Sequence, residues 1–173
     1  MRQVEFVIES WPLIEPFVIT GYTWTHCDVL VVSVTENGVT GRGEASGVYY
    51  LQETAQSIYQ QAHSIQEKLE RGASRKQVQS LLPLGGARNA IDCALWDLEA
   101  KTTGKGIFGL TGIAAASVNT VNTVTIDTPE EMAQKAAAIS AHQIKVKLSD
   151  EQPLQRITAV RNARPDADIV VDV

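Results

Sequence analysis

The sequence predicts an α+β region followed by repeating β/α units, on three observations. Residues 2 to 45 alternate in the manner of strands around an Asn37-Gly38 turn, and residues from Gln52 to about 102 carry apolar stripes at helical spacing. After residue 117, strand and helix patterns alternate with a regular repeat. Strands followed by helices mark an α+β arrangement, whereas alternating strands and helices mark parallel strands joined by crossovers.

In the first region, Val4, Phe6 and Ile8 share one strand face, and the β-branched run Val29 to Val34 leads into Asn37-Gly38. Both turn residues accept the positive φ of a type I′ turn, so Val39 to Glu44 is the return strand. A helix is expected from Gln52, with Ala55, Ile58, Tyr59, Ala62, Ile65 and Leu69 on one stripe and Arg71-Gly72 at its end. Ser74, with Gln77 three positions on, caps a second helix. A third runs from about Ala87 to Thr102, burying Ile91, Ala94, Leu95 and Leu98, with Gly104 beyond it.

In the second region, Val118 to Ile126 reads as a strand. Thr128-Pro129-Glu130-Glu131 supplies an N-cap, a proline at the first helical position and a capping-box glutamate for a helix to about Ala141. Strand Gln143 to Leu148 follows, then Ser149 or Asp150 as a cap, a helix carrying Leu154, Ile157 and Val160, and strand Asp168 to Val173 after the break Arg164-Pro165-Asp166. The joint falls between Thr103 and Gly112, giving regions 1–112 and 113–173.

Composition excludes several classes of function. With 44% hydrophobic residues, 20% charged residues and a net charge of -5 over 173 residues, the chain has no electrostatic bias toward nucleic acid or an anionic membrane. No apolar run approaches signal-peptide or membrane-span length, so a cytoplasmic protein is expected. Cys27 and Cys93 are too few for a disulfide framework and read as reduced, packed thiols. His26, His63 and His142 are scattered singly, and Gly41-Arg42-Gly43 opens no helix of the dinucleotide-binding kind.

The residues that could carry chemistry are Lys145, Lys147 and Asp172. Alternation places both lysines on one face of their strand, while Ile144, Val146 and Leu148 point to the other. In a low-dielectric interior two adjacent ammonium groups disfavour each other's charge, which makes one a usable base near neutral pH. Taken alone, the same pattern fits an exposed strand with two surface lysines. Asp172 changes the balance, since a carboxylate at a strand's carboxyl end suits a hard cation such as Mg²⁺. Thr123, Lys147 and Asp172 recur at almost equal intervals that match the β/α repeat, so all three are expected at one height on successive strands.

Lys145-Val146-Lys147 and Asp172, after an α+β region containing Ala87-Arg88-Asn89-Ala90-Ile91-Asp92-Cys93-Ala94-Leu95-Trp96-Asp97-Leu98, resemble the muconate-lactonizing subgroup of the enolase superfamily. Within it the chain is most similar to dipeptide epimerases of the L-Ala-D/L-Glu type, through Trp11-Pro12-Leu13, Pro16-Phe17-Val18-Ile19 and Thr123 to Pro129 as well. The resemblance implies an α+β capping domain followed by the first β/α units of a TIM-type (β/α) barrel, and a Mg²⁺-dependent isomerase acting on a small dipeptide or carboxylate. It implies Lys147 as the acid/base at the substrate's α-carbon, Lys145 as its partner and a contact to the substrate carboxylate, Asp172 as the first of three acidic metal ligands, and Thr123 as a substrate contact. Asn89, Asp92 and Asp97 are expected to be structural, pairing with loops between the regions.

Two departures from the family pattern stand out. Where an arginine is expected in the loop after Phe17-Val18-Ile19, this chain has Gly21-Tyr22-Thr23-Trp24-Thr25. Losing a guanidinium removes the natural partner of a glutamate side chain, so an apolar or aromatic residue facing Trp24 is expected in the substrate. The chain also stops at Val173, before the later barrel strands that would bring the other ligands and the opposite lysine. It is therefore expected to be a truncated or split chain, inactive alone, that associates with a missing C-terminal fragment or forms a homo-oligomer. Other readings stay open: another cycloisomerase or succinylbenzoate synthase of the same subgroup, a non-catalytic fragment, or a Schiff-base aldolase, against which Asp172 argues.

Overall fold

Three antiparallel strands begin the chain: β1 (Gln3–Ile19), β2 (Tyr22–Glu36) and β3 (Val39–Ser46), in the order β1-β2-β3. The structure, a computed structural model, describes residues 2–173. Asn37 and Gly38 take φ values of 50° and 78° and set the expected register, with Glu36 opposite Val39 and Val29 opposite Ser46. Alternation along β2 buries Leu30, Val32 and Val34 completely against the helices that follow.

The helix expected from Gln52 to Leu69 is two helices, α1 (Ala55–His63) and α2 (Gln66–Glu70). Ser64 donates its hydroxyl to the Gln61 carbonyl at 2.6 Å, and Ile65 leaves helical geometry at φ -115°, ψ 11°. The apolar stripe survives the break, since Ile58, Ala62, Ile65 and Leu69 are all buried. Thr54 and Ser57 form a reciprocal capping box at α1, and Ser74 and Gln77 form the expected one at α3 (Arg75–Leu81). Then come α4 (Gly86–Thr103), which ends at Gly104 in the left-handed region, and a short α5 (Gly106–Thr111) that the sequence pattern does not mark.

α4 lies directly on β3, which explains the paired glycines there. A Cβ on Gly41 would sit 2.2 Å from the Ala94 carbonyl oxygen, and one on Gly43 would sit 2.2 Å from that of Ala90. Asp97 Oδ2 accepts from the Arg42 amide at 2.8 Å and from Lys101 Nζ at 2.6 Å. Asn89 donates to the Glu44 carbonyl and Asp92 accepts from Gln79, so these three side chains brace α4 against β3 and α3 instead of pairing with loops between the regions. Cys93 is exposed on α4, not packed; desolvation and the neighbouring Asp92 push its thiol pKa up.

Three parallel strands follow, β4 (Val121–Val124), β5 (Gln143–Lys147) and β6 (Asp168–Asp172), in the order β4-β5-β6, with crossover helices α6 (Pro129–Ala138) and α7 (Pro153–Ala163). β4 is shorter than the expected Val118 to Ile126, and Val118 is exposed. Thr128 caps α6 by accepting from the Glu131 amide. The return bond of a capping box is absent because Asp127 Oδ1 already accepts from the Thr128 amide at 2.8 Å. α6 stops at Ala138, short of Ala141, because Ile139 turns extended and the Arg164 guanidinium takes the carbonyls of Ile139 and Ala141. The N-cap of α7 is Gln152, at φ 47°, and not Ser149 or Asp150; Ser149 Oγ accepts from Arg156 Nη1 instead. Val124, Met132, Ala136, Ile144, Val146, Leu148, Val160 and Ala167 form this region's core, while Leu154 is exposed.

The chain divides into two compact units. One is the segment ending at Pro12 together with His26–Ala115; the other joins Leu13–Thr25 to Ala116–Val173. The expected cut after residue 112 assigns the β1–β2 hairpin tip to the first region, but its packing places it with the parallel strands. No helix among the described residues is long and apolar enough to cross a membrane.

Candidate active site

β5 carries the lysines because its other face is committed. Ile144 and Val146 are fully buried and Leu148 nearly so, which turns Lys145 and Lys147 to the opposite side of the sheet. Lys147 pairs with Asp172 of β6 in the parallel ladder, and the Leu148 amide extends that ladder to the Asp172 carbonyl at 3.0 Å. All three side chains therefore meet at the carboxyl ends of adjacent strands.

Their ionic geometry differs from that of two ammonium groups left facing each other. Asp172 Oδ2 lies 2.5 Å from Lys145 Nζ and 2.7 Å from Lys147 Nζ, so one carboxylate oxygen bridges both cations and offsets the repulsion on which the expected base was argued. The hydrogen bonds from Lys145 and then Lys147 lower the Asp172 pKa to about 2. Both lysine contacts fall on Oδ2 of Asp172.

Thr123 sits lower than expected. It pairs with Lys145, not Lys147, whereas Asp172 does pair with Lys147, so the chain advances less in register from β4 to β5 than from β5 to β6. Reading one uniform repeat along the sequence hides that difference. Thr123 is exposed on the lysine face.

Trp24 belongs to the hairpin tip. Its ring lies 5.9 Å from Phe17 and 4.3 Å from Tyr22, centroid to centroid. The tip is docked on the carboxyl ends of the parallel strands: the Ile126 amide donates to the Val18 carbonyl at 3.2 Å, and Thr20 Oγ1 to the Leu148 carbonyl at 3.4 Å. Lys135 of α6 binds Glu15 of the tip and Asp127, both at 3.1 Å. Sequence reading missed Glu15 and Lys135, whose pairing spans distant segments and leaves no local signal.

Arg156 was also missed. It is buried, and its guanidinium donates to the carbonyls of Asp127 and Glu151 and to Ser149 Oγ, tying the segments after β4 and β5 together. Nothing in the amphipathic pattern of α7 distinguishes it from a surface arginine.

Chemically, this face offers two ammonium donors for a carboxylate and one carboxylate oxygen for a hard cation. Asp172 fits Mg²⁺ as a single ligand, since that ion is held by one or two carboxylates with water and substrate completing its shell. Among the described residues no cluster of three or more His, Cys, Asp or Glu side chains could hold a metal.

Residues 1–112 match the N-terminal domain of the mandelate racemase / muconate lactonizing enzyme family. The chain is 40% identical over 176 residues to the L-Ala-D/L-Glu epimerase of Escherichia coli (strain K12), covering 99% of the chain and 55% of that protein. An enolase family member from Agrobacterium tumefaciens with homology to dipeptide epimerases, solved with bound sodium and L-Ala-L-Glu, superposes with a TM-score of 0.92 at 32% identity, over 99% of this chain and 53% of that one. The dipeptide epimerase of Cytophaga hutchinsonii, complexed with Mg and D-Ala-L-Val, does so with a TM-score of 0.86 at 27% identity, over 99% and 50%. The chain thus spans about half the length of the proteins it matches. With an antiparallel sheet under helices followed by parallel β/α units, and with residues 1–112 matching the family's domain, the chain belongs to the mandelate racemase/muconate lactonizing enzyme family of the enolase superfamily.

Proposed function

We propose that this chain supplies one face of the active site of a Mg²⁺-dependent dipeptide epimerase. The observation that carries the proposal is the convergence of Lys145, Lys147 and Asp172 at the carboxyl ends of β5 and β6, with both ammonium groups on one carboxylate oxygen.

In this reading Lys147 removes or returns the proton on the carbon next to the substrate carboxylate, and Lys145 holds that carboxylate. Asp172 offers an oxygen to Mg²⁺, which when bound supplies positive charge against the carboxylate as negative charge grows on it. Thr123 contacts the substrate beside Lys145. The hairpin tip presents Trp24, with Phe17 and Tyr22, to the substrate side chain, which favours an apolar or aromatic residue over glutamate. Lys147 as base and Asp172 as ligand make up one face of such a site.

The test joins the full chain to the part of the E. coli epimerase that lies beyond the aligned region. This completed enzyme is followed by deuterium incorporation into dipeptides in D₂O with Mg²⁺. Exchange is expected only in the completed enzyme, and Lys147→Met lowers it at least about 100-fold, the contribution of a general base. Exchange that survives Lys147→Met refutes the role of that lysine, and exchange by the chain alone refutes the one-face reading. Equal kcat/KM for Ala-Glu and Ala-Phe dipeptides sinks the side-chain preference.

A further inference from the structure

Thr125 follows β4 directly and is 6% exposed, yet its Oγ1 has no hydrogen-bond partner among the described residues. Buried hydroxyls are almost always bonded, and an unpaired one lowers the stability of the fold that contains it. Such a group is retained at a cost unless a ligand completes it.

Its direction and height follow from the sheet. Val124 packs into the helix-side core with Ile144 and Val146, so Thr125 turns to the face of Thr123, Lys145 and Lys147. Val124, the last residue of β4, pairs with Val146, and the same register carried one residue further would set Thr125 at the level of Lys147, which Asp172 shares. The hairpin tip closes over this end, through the Ile126 amide to Val18 and the Thr20 hydroxyl to Leu148, and these contacts flank Thr125 on its own strand and on β5.

We infer that Thr125 is a substrate-contacting residue, whose hydroxyl donates to an oxygen of the bound dipeptide at the level of Lys147. The two lysines beside it each give a donor to Asp172 and keep others for a ligand, whereas the hydroxyl has no partner at all among the described residues. A neutral donor there adds direction to a carboxylate or amide oxygen that two flexible ammonium groups bind only as charges. This inference rests on the epimerase reading for the identity of the ligand, but not for the state of the hydroxyl.

The experiment compares Thr125→Val, which keeps the shape and removes the hydroxyl, with Thr125→Ser, which keeps the hydroxyl. In the chain alone, Thr125→Val is expected to raise the denaturation midpoint and Thr125→Ser is not. In the completed enzyme, Thr125→Val is expected to raise KM for the dipeptide about tenfold, the factor that a lost hydrogen bond of typical strength carries. The same substitution leaves kcat within about twofold, and Thr125→Ser stays near the unaltered KM. A lower midpoint for Thr125→Val means the hydroxyl is bonded within the fold, and overturns the inference. An unchanged KM overturns it as well. Inactivity of the unaltered completed enzyme would instead sink the epimerase reading, while the midpoint comparison would still decide whether the hydroxyl is held unpaired for a ligand.

Discussion

The two faces of β5 respond unequally to substitution, and Ile144→Ala set against Lys147→Met measures this. Ile144 is fully buried among Val124, Met132, Val146 and Val160. Cutting it to alanine removes three carbons, worth about 2.4 kcal/mol at roughly 0.8 kcal/mol each. A partly collapsed cavity adds about 1 kcal/mol, which brings the total to about 3.5 kcal/mol, inside the range of about 2–5 kcal/mol for such changes. Against a domain stability of about 5–15 kcal/mol that is a large fraction. Lys147 lies on the other face and shares its carboxylate with Lys145, so its replacement by methionine removes one of two ion pairs and leaves no cavity. Solvent screening keeps the contribution of such a pair small, so the loss is expected to be well below that of Ile144→Ala. Urea denaturation followed by hydrogen exchange at the β4 to β6 amides separates the outcomes. A loss below about 1 kcal/mol for Ile144→Ala, or a larger loss for Lys147→Met than for Ile144→Ala, refutes the assignment of the two faces.

Two further predictions concern packing and ionisation. Gly43→Ala pushes a methyl group to 2.2 Å from the Ala90 carbonyl oxygen, so α4 must lift from β3; the cost is about 3 kcal/mol, read as a lower midpoint of the first unit, and an unchanged midpoint contradicts the close approach. Asp172 has a folded pKa of about 2 against an ordinary 3.8, so its ionised form favours the folded state above about pH 4, and that contribution fades as pH falls toward 2. A carboxyl ¹³C titration that places Asp172 near its ordinary value contradicts the double lysine contact; in Lys145→Met the value is expected to move back toward 3.8.

Much of this architecture was legible because it depends on local physics. The Asn37-Gly38 turn needs two residues that tolerate positive φ, Ser74 and Gln77 bond each other's backbone within one turn, and the alternation of β5 puts its lysines opposite its aliphatic residues. The breaks were harder. Ile65 belongs to a continuous apolar stripe, so nothing in the pattern shows that the Ser64 hydroxyl and the packing beneath end α1 there. Gln152 takes over the cap of α7 because Arg156, a residue within the helix, draws Ser149 away.

For the candidate site, the sequence by itself singled out Lys145, Lys147 and Asp172 and determined that both lysines share one strand face, since side-chain alternation is a property of any extended chain. Tertiary structure alone decided their mutual positions. Unequal steps between the two ladders set Thr123 level with Lys145 and Asp172 level with Lys147, because register depends on how each helix packs back onto the sheet and not on chain length. It also placed one carboxylate oxygen between two ammonium groups, docked the hairpin tip onto the strand ends, and left the Thr125 hydroxyl buried without a partner among the described residues. Each of these depends on segments far apart in the chain, and such arrangements arise only when those segments pack together.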